Sequence, residues 1–150
     1  MRVALTSDHN GLVLREHLRA HLSERDHQVT ERGPTDPTTP VDYPPLVAEV
    51  AYDVVDGRAD RAIIVGGTGS GENIAANKVP GIRAAFCHDH LTARISRANN
   101  DTNVLVLGAM SIGWRLAEEL VDLWLTTEFT HGRHVPRLEQ IAALERGERL

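Results

Sequence analysis

Short apolar runs punctuate the chain at Arg2–Leu5, Ala62–Val65, Arg83–Phe86 and Val104–Leu107, with the length and flanking residues of buried strands. Between them, apolar residues return every three or four positions. Leu12, Leu14, Leu18 and Leu22 mark one helix, and Leu46, Val47, Val50 and Val54 a second. Ile74 to Asn77 suggests a third, Leu91 to Ala98 a fourth and Trp114 to Leu125 a fifth. A weaker strand at His27–Glu31 follows the first helix, and a terminal helix over about 136–149 is expected to pack on the domain or on a partner subunit. Strands alternating with helices are the βαβ pattern. The expected fold is therefore α/β, a three-layer, Rossmann-like, doubly wound sheet of about five mainly parallel strands, in one domain spanning 1–150.

In such a sheet, ligands bind beyond the carboxyl ends of the strands. Ser7, Asp8 and His9 follow the first strand, a glycine-rich turn follows the third and Gly108 to Ser111 follow the fifth. These loops, together with HGRHVPR near the chain's end, are expected to share one rim. The proline-rich run GPTDPTTPVDYPP is expected to be an ordered loop without regular structure.

The glycine turn is the most informative segment. An apolar run enters Gly66, Gly67, Gly69 and Gly71, and a helical segment leaves them. Glycines let main-chain N–H groups converge on one spot, and a helix start adds unpaired N–H groups and the positive end of its dipole. An anion is the expected occupant. Glu72, at the start of that helix, puts a carboxylate beside the anion. The dipole favours its charged form while a dry pocket would raise its proton affinity, and sequence alone leaves that balance open. Arg133 and Arg137, four apart, either fork onto one oxyanion or form a solvated helix end. Asp8 and His9 are either a strand-end acid–base pair or a helix cap with a neighbour.

Composition narrows the partners. A chain of 150 residues, 41% hydrophobic and 25% charged, can bury a core of its own. A formal charge of −5 with scattered basic residues argues against nucleic acid. No run has membrane-spanning length, no leader is evident, and the single cysteine, Cys87, excludes an internal disulfide, so a cytoplasmic protein without membrane contact is expected. The eight histidines form no ligand pattern, and neither metal nor cofactor is expected.

The segments SDHNG, DYP at 42–44, GGTGSGENIAANK, GIRA, NDTNVL and GRH...R span nearly the whole chain. Together they resemble the ribose-5-phosphate isomerase B and galactose-6-phosphate isomerase family of metal-independent aldose–ketose isomerases. The resemblance implies a linear sugar phosphate as substrate and a homodimer or dimer of dimers with sites at the subunit interface. It also implies a cis-enediolate formed by a base and stabilised by loop N–H groups. One branch of the family uses a cysteine base at the position of Gly66, the other a glutamate at that of Glu72, and this chain has the second arrangement. Thr68 matches the hydroxyl that moves protons between the substrate oxygens, Gly67, Gly69, Ser70 and Gly71 the anion loop, Asn100 a ligand-binding amide, and His9, Arg133 and Arg137 phosphate contacts. Tyr43 matches a pocket-lining residue.

Two departures stand out. Many members acting on ribose 5-phosphate carry histidine at Asn99, credited, with the aspartate matching Asp8, with opening the furanose ring. Many also carry arginine at Met110. Asparagine cannot transfer that proton. A tetrose 4-phosphate, with O4 blocked, cannot close a five-membered ring and would need no such help; alternatively His88 or His90 substitutes. A dinucleotide-binding module is disfavoured because G-x-G-x-x-G spacing is missing, and a nucleotide P-loop because no Gly-Lys-Ser/Thr follows. A non-catalytic sugar-phosphate sensor or inactive partner subunit is the remaining alternative.

Overall fold

The strand Arg61–Gly66 (β3) is flanked on both sides by parallel partners, and the rest of the molecule is arranged around it. In the computed structural model, which describes residues 1–150, the chain runs β1 (Arg2–Ser7), α1 (Leu12–Ser23), β2 (Gln28–Glu31), α2 (Tyr43–Val55), β3, α3 (Ser70–Ala76) and β4 (Ala84–Phe86). It continues through α4 (His90–Asn100), β5 (Val104–Gly108), α5 (Trp114–Thr126), a 3₁₀ turn (Gly132–His134) and α6 (Val135–Glu145). Strand order is β2-β1-β3-β5-β4, and every pairing is parallel. This is the expected Rossmann-like α/β sheet.

Alternation along the central strands decides the layers. Val3, Leu5, Ile63, Val65, Leu105 and Leu107 face α1, α4 and α5, where Leu18, Leu22, Leu120 and the fully buried Trp124 complete one core. Ala4, Ala62, Ile64, Val104 and Val106 face α2 and α3, where Val47, Val50 and Ala76 complete the second. Because both faces are covered, the central strands read as continuous apolar runs, which is why they were visible in the sequence.

The strand ends differ from expectation in a consistent way. β1 continues through Thr6 and Ser7, and β3 and β5 through Gly66 and Gly108, because these polar or small residues pair across the sheet at Thr6–Ile64, Ser7–Val65 and Gly66–Gly108. α2 starts at Tyr43 rather than Leu46: Pro44 and Pro45 occupy its first turn, where a missing N–H costs nothing. The proline-rich loop therefore ends three residues earlier than expected, at Asp42, and delivers Tyr43 on a helix. α3 starts at Ser70, so Ser70 and Gly71 belong to the helix. α6 ends at Glu145, four residues short of the expected limit; Ala143 is buried and the Glu145 carboxylate accepts the Gly81 N–H at 3.0 Å.

Candidate active site

The carboxyl ends of β1, β3 and β5 form a rim on which Asp8, the glycine turn and Met110 meet. Gly66 and Gly67 carbonyls accept the N–H groups of Ala109 and Met110, both at 2.9 Å. Those bonds tie the turn's carbonyls to β5's exit and leave its N–H groups free to face outward. Main-chain N–H groups of Thr68, Gly69 and Gly71 have no partner in the protein, and that of Ser70 has only the Thr68 hydroxyl at 3.4 Å. Gly67 differs: its N–H donates to Asp8 Oδ2 at 3.2 Å. The turn's unpartnered amides are thus those of Thr68, Gly69 and Gly71. α3 has only seven residues, so what it offers is local N–H groups more than a long dipole.

Two glycines are obligatory for close approach. A side chain at Gly66 would fall within the Glu72 carboxylate, and one at Gly71 within the Tyr43 hydroxyl. Glu72 therefore lies flat on the β3 end, in the space a side chain at 66 would occupy. A base at 66 and a base at 72 exclude each other sterically.

Glu72 is 4% exposed and hydrogen-bonds no other side chain. Burial raises its pKa above the ordinary glutamate range; its own main-chain N–H opposes the rise, and the Asp8 charge adds to it. Its balance therefore falls on the side of a proton acceptor useful nearer neutrality. Asp8, Asn10, Tyr43, Gly67, Thr68, Gly71, Glu72 and Met110 enclose a cavity of about 360 Å³, within the range of about 300–1,000 Å³ usual for small ligands. Asn10 is the residue that sequence reasoning missed. It sits in the SDHNG turn, where its amide reaches the His9 Nε2 at 3.1 Å; its spacing carries no chemistry of its own, and only the fold brings it over Gly67. His9 Nδ1 accepts the Val41 N–H at 3.4 Å, tethering the proline-rich loop to the rim.

The second set of expected residues lies elsewhere. α4 follows β4 and runs back along the sheet, so Asn99 and Asn100, its last two residues, stand at the amino ends of the strands. α5 also runs back. Thr130, beyond it, donates to the Ala98 carbonyl through both N–H (2.9 Å) and hydroxyl (2.6 Å), fixing the segment that carries Arg133 and Arg137 beside the end of α4. The expectation that HGRHVPR shares the rim within one chain is thereby corrected: a return helix carries it to the opposite edge, about 15 Å away for a five-residue strand. Arg133 and Arg137 are both exposed and form no hydrogen bond or ion pair. Both lower the pKa of buried His134, after burial itself, so the two guanidinium groups flank one spot.

His90 pairs with Glu119 at 3.0 Å on the outer flank, and His88 stacks near Phe86, with ring centroids 5.9 Å apart. Neither lines the cavity. Cys87 is buried, its thiol pushed up by burial, and it too is outside the cavity. A larger hollow of about 640 Å³ at the opposite edge is lined by Asn100, Lys78, Arg83 and α6, and contains none of the rim residues. No three His, Cys, Asp or Glu side chains are gathered as a metal ion would require, and no helix is long and apolar enough to cross a membrane.

Compared with known proteins, residues 3–141 match the family described as ribose/galactose isomerase. The chain is 42% identical over 144 residues to ribose-5-phosphate isomerase B of Escherichia coli, covering 96% of each chain. It is 37% identical over 151 residues to D-erythrulose-4-phosphate isomerase of Pectobacterium atrosepticum, covering 99% of this chain and 98% of the other. The solved structure of ribose-5-phosphate isomerase B from Clostridium thermocellum superposes with a TM-score of 0.95 at 43% identity, over 98% of this chain and 99% of that one. The enzyme of the same description from Mycoplasma genitalium, solved with bound ribulose-5-phosphate, gives a TM-score of 0.91 at 33% identity, over 97% and 96% of the two chains.

Proposed function

This chain belongs to the ribose/galactose isomerase family and is a sugar-phosphate isomerase, and we propose that it interconverts an aldose phosphate and its ketose phosphate through a cis-enediolate with Glu72 as the base. Glu72 takes the proton from C2 of the open-chain aldose; the C–H electron pair forms the C1–C2 double bond, and the carbonyl electrons move onto O1. The N–H groups of Thr68, Gly69 and Gly71 neutralise that oxygen. The Thr68 hydroxyl relays the O2 proton to O1, and Glu72 returns its proton to C1. No atom or electron is left over.

The observation that carries this reading is the buried Glu72 carboxylate, held by Gly66 beside three unpartnered amides and raised in proton affinity. Tyr43 completes the near wall, with His9 and Ser70 on the turns beside it. Asn99, Asn100, Arg133 and Arg137 are contributed by a second copy, because a return helix keeps each copy's own set at the far edge. A homodimer, or a dimer of dimers, with shared sites follows. A cytoplasmic setting agrees with the free, buried Cys87.

The sugar is a pentose 5-phosphate or a tetrose 4-phosphate. Asn99 and Met110, standing where the ring-opening histidine and an anion-binding arginine are usual, favour the tetrose, as does the relative that acts on erythrulose 4-phosphate. The test is turnover of ribose 5-phosphate and erythrose 4-phosphate, with exchange of the C2 proton in D₂O. Binding of either sugar phosphate without exchange would replace the enzyme reading with a sensor.

A further inference from the structure

Asp8 is the expected acid–base partner in ring opening, yet its surroundings are those of a structural anion. The residue is 7% exposed. Oδ1 accepts the Gly11 N–H at 2.7 Å, and Oδ2 accepts the Gly67 N–H at 3.2 Å with the Asn10 amide at 3.5 Å. The two main-chain donors come from different turns, one at the start of α1 and one at the end of β3, separated by 56 residues of sheet and helix, and this side chain bonds both, beside the Asp8 N–H on Val65 O. Main-chain donors cannot rotate away, so each must be left unpaired and buried if the carboxylate changes partners.

We propose that Asp8 is a positioning residue that clamps the β1–α1 turn to the glycine turn, aiming the amides of Thr68, Gly69 and Gly71 at the substrate, and that it exchanges no proton with the sugar. The proposal rests on the isomerase reading with Glu72 as base.

Three features support it. With its N–H on Asp8 and its carbonyl on the Met110 N–H, Gly67 is held on both sides, and the N–H groups of Thr68, Gly69 and Gly71 beyond it are left unpartnered beside the cavity. Each carboxylate oxygen accepts a main-chain N–H, which fixes the side chain in place as a clamp requires. The family's ring-opening pair is incomplete here in any case, since Asn99 carries no transferable proton. The clamp also acts on the base through its charge: Asp8 adds to the upward pull on Glu72, while the other elements around the cavity bring neutral groups, namely Asn10, Tyr43, Thr68 and Met110, and His9 stands one residue along the same turn.

The experiment compares wild type with Asp8→Asn on ribose 5-phosphate, which closes to a furanose, and erythrose 4-phosphate, which cannot. The clamp predicts a loss in kcat/KM of roughly 10- to 100-fold on both sugars, equal within about threefold, because misaimed amides harm any substrate. It also predicts that the acidic limb of kcat/KM moves to lower pH, since removing a negative neighbour lowers the pKa of Glu72. A loss confined to ribose 5-phosphate, or an acidic limb that stays in place, overturns the proposal. Where only one sugar is turned over, the acidic limb decides. Wild type that exchanges no C2 proton with either sugar defeats the isomerase reading instead. Should Asp8→Asn fail to fold, amide exchange in the wild type decides: the Gly11 and Gly67 N–H groups must be protected with and without sugar phosphate, and rapid exchange at Gly67 in the free protein contradicts the clamp.

Discussion

The rim and the opposite edge carry equally polar candidate residues but are built in opposite ways. At the rim, Asp8, His9 and the Thr68 hydroxyl each have a hydrogen-bond partner, and Glu72 is pressed dry against Gly66. At the edge, the side chains of Asn99, Asn100, Arg133 and Arg137 have none. On the proposed reading, the difference is that between chemistry and capture. A group that must move a proton is pre-oriented and desolvated by its own chain, whereas groups that hold an anion can wait in water until a second copy presents them.

Removing the proposed base breaks the comparison most severely. Glu72→Gln keeps the shape of the side chain and should lower kcat by about 1,000-fold, the middle of the usual span for a general base, with C2–proton exchange lost in parallel. Gly66→Ala attacks the same carboxylate indirectly, by occupying its resting place. Its kcat should fall by about 100-fold with little change in KM, as expected for a reacting group displaced by about an ångström. Ala at Gly113, where no atom lies within 4 Å, should leave turnover unchanged.

At the far edge the signature reverses. Arg133→Ala or Arg137→Ala should raise KM by roughly 10- to 100-fold, the worth of one charge-assisted hydrogen bond, while thermal unfolding stays in place because neither guanidinium has a partner to lose within its own chain. A smaller effect is expected in pH. The base must be deprotonated, and its pKa is raised by burial, so kcat/KM should fall away on the acid side at a pH above the ordinary glutamate range. Smallest of all, Met110→Arg, at a position now 69% exposed beside the cavity, should lower KM by about threefold and make binding more salt-sensitive.

The core of this fold was legible because both sheet faces are covered, leaving unbroken apolar runs at Val3–Leu5, Ala62–Val65 and Val104–Leu107. The strand ends were not, since Thr6, Ser7, Gly66 and Gly108 pair in the sheet without apolar side chains. Tyr43 was hidden behind Pro44 and Pro45, which break helices everywhere but in the first turn they here occupy. The glycine turn and Glu72 stood out as motifs. Their separation from Arg133 and Arg137 did not, because motif order says nothing of edges until one counts the helices: whatever follows a return helix lies at the opposite end of a parallel sheet. Asn10 had no signal at all, for only the fold lays it over Gly67.

The claim on which the rest depends is that proton transfer and anion capture at one site come from different copies of the chain. Mixing Glu72→Gln with Arg133→Ala/Arg137→Ala after dissociation tests it directly. At substrate well below the KM of the arginine variant, each variant alone should be nearly inactive, while random reassortment should restore about a quarter of wild-type turnover, since half the dimers then hold one intact site of two. A mixture no more active than its separate components would contradict the account.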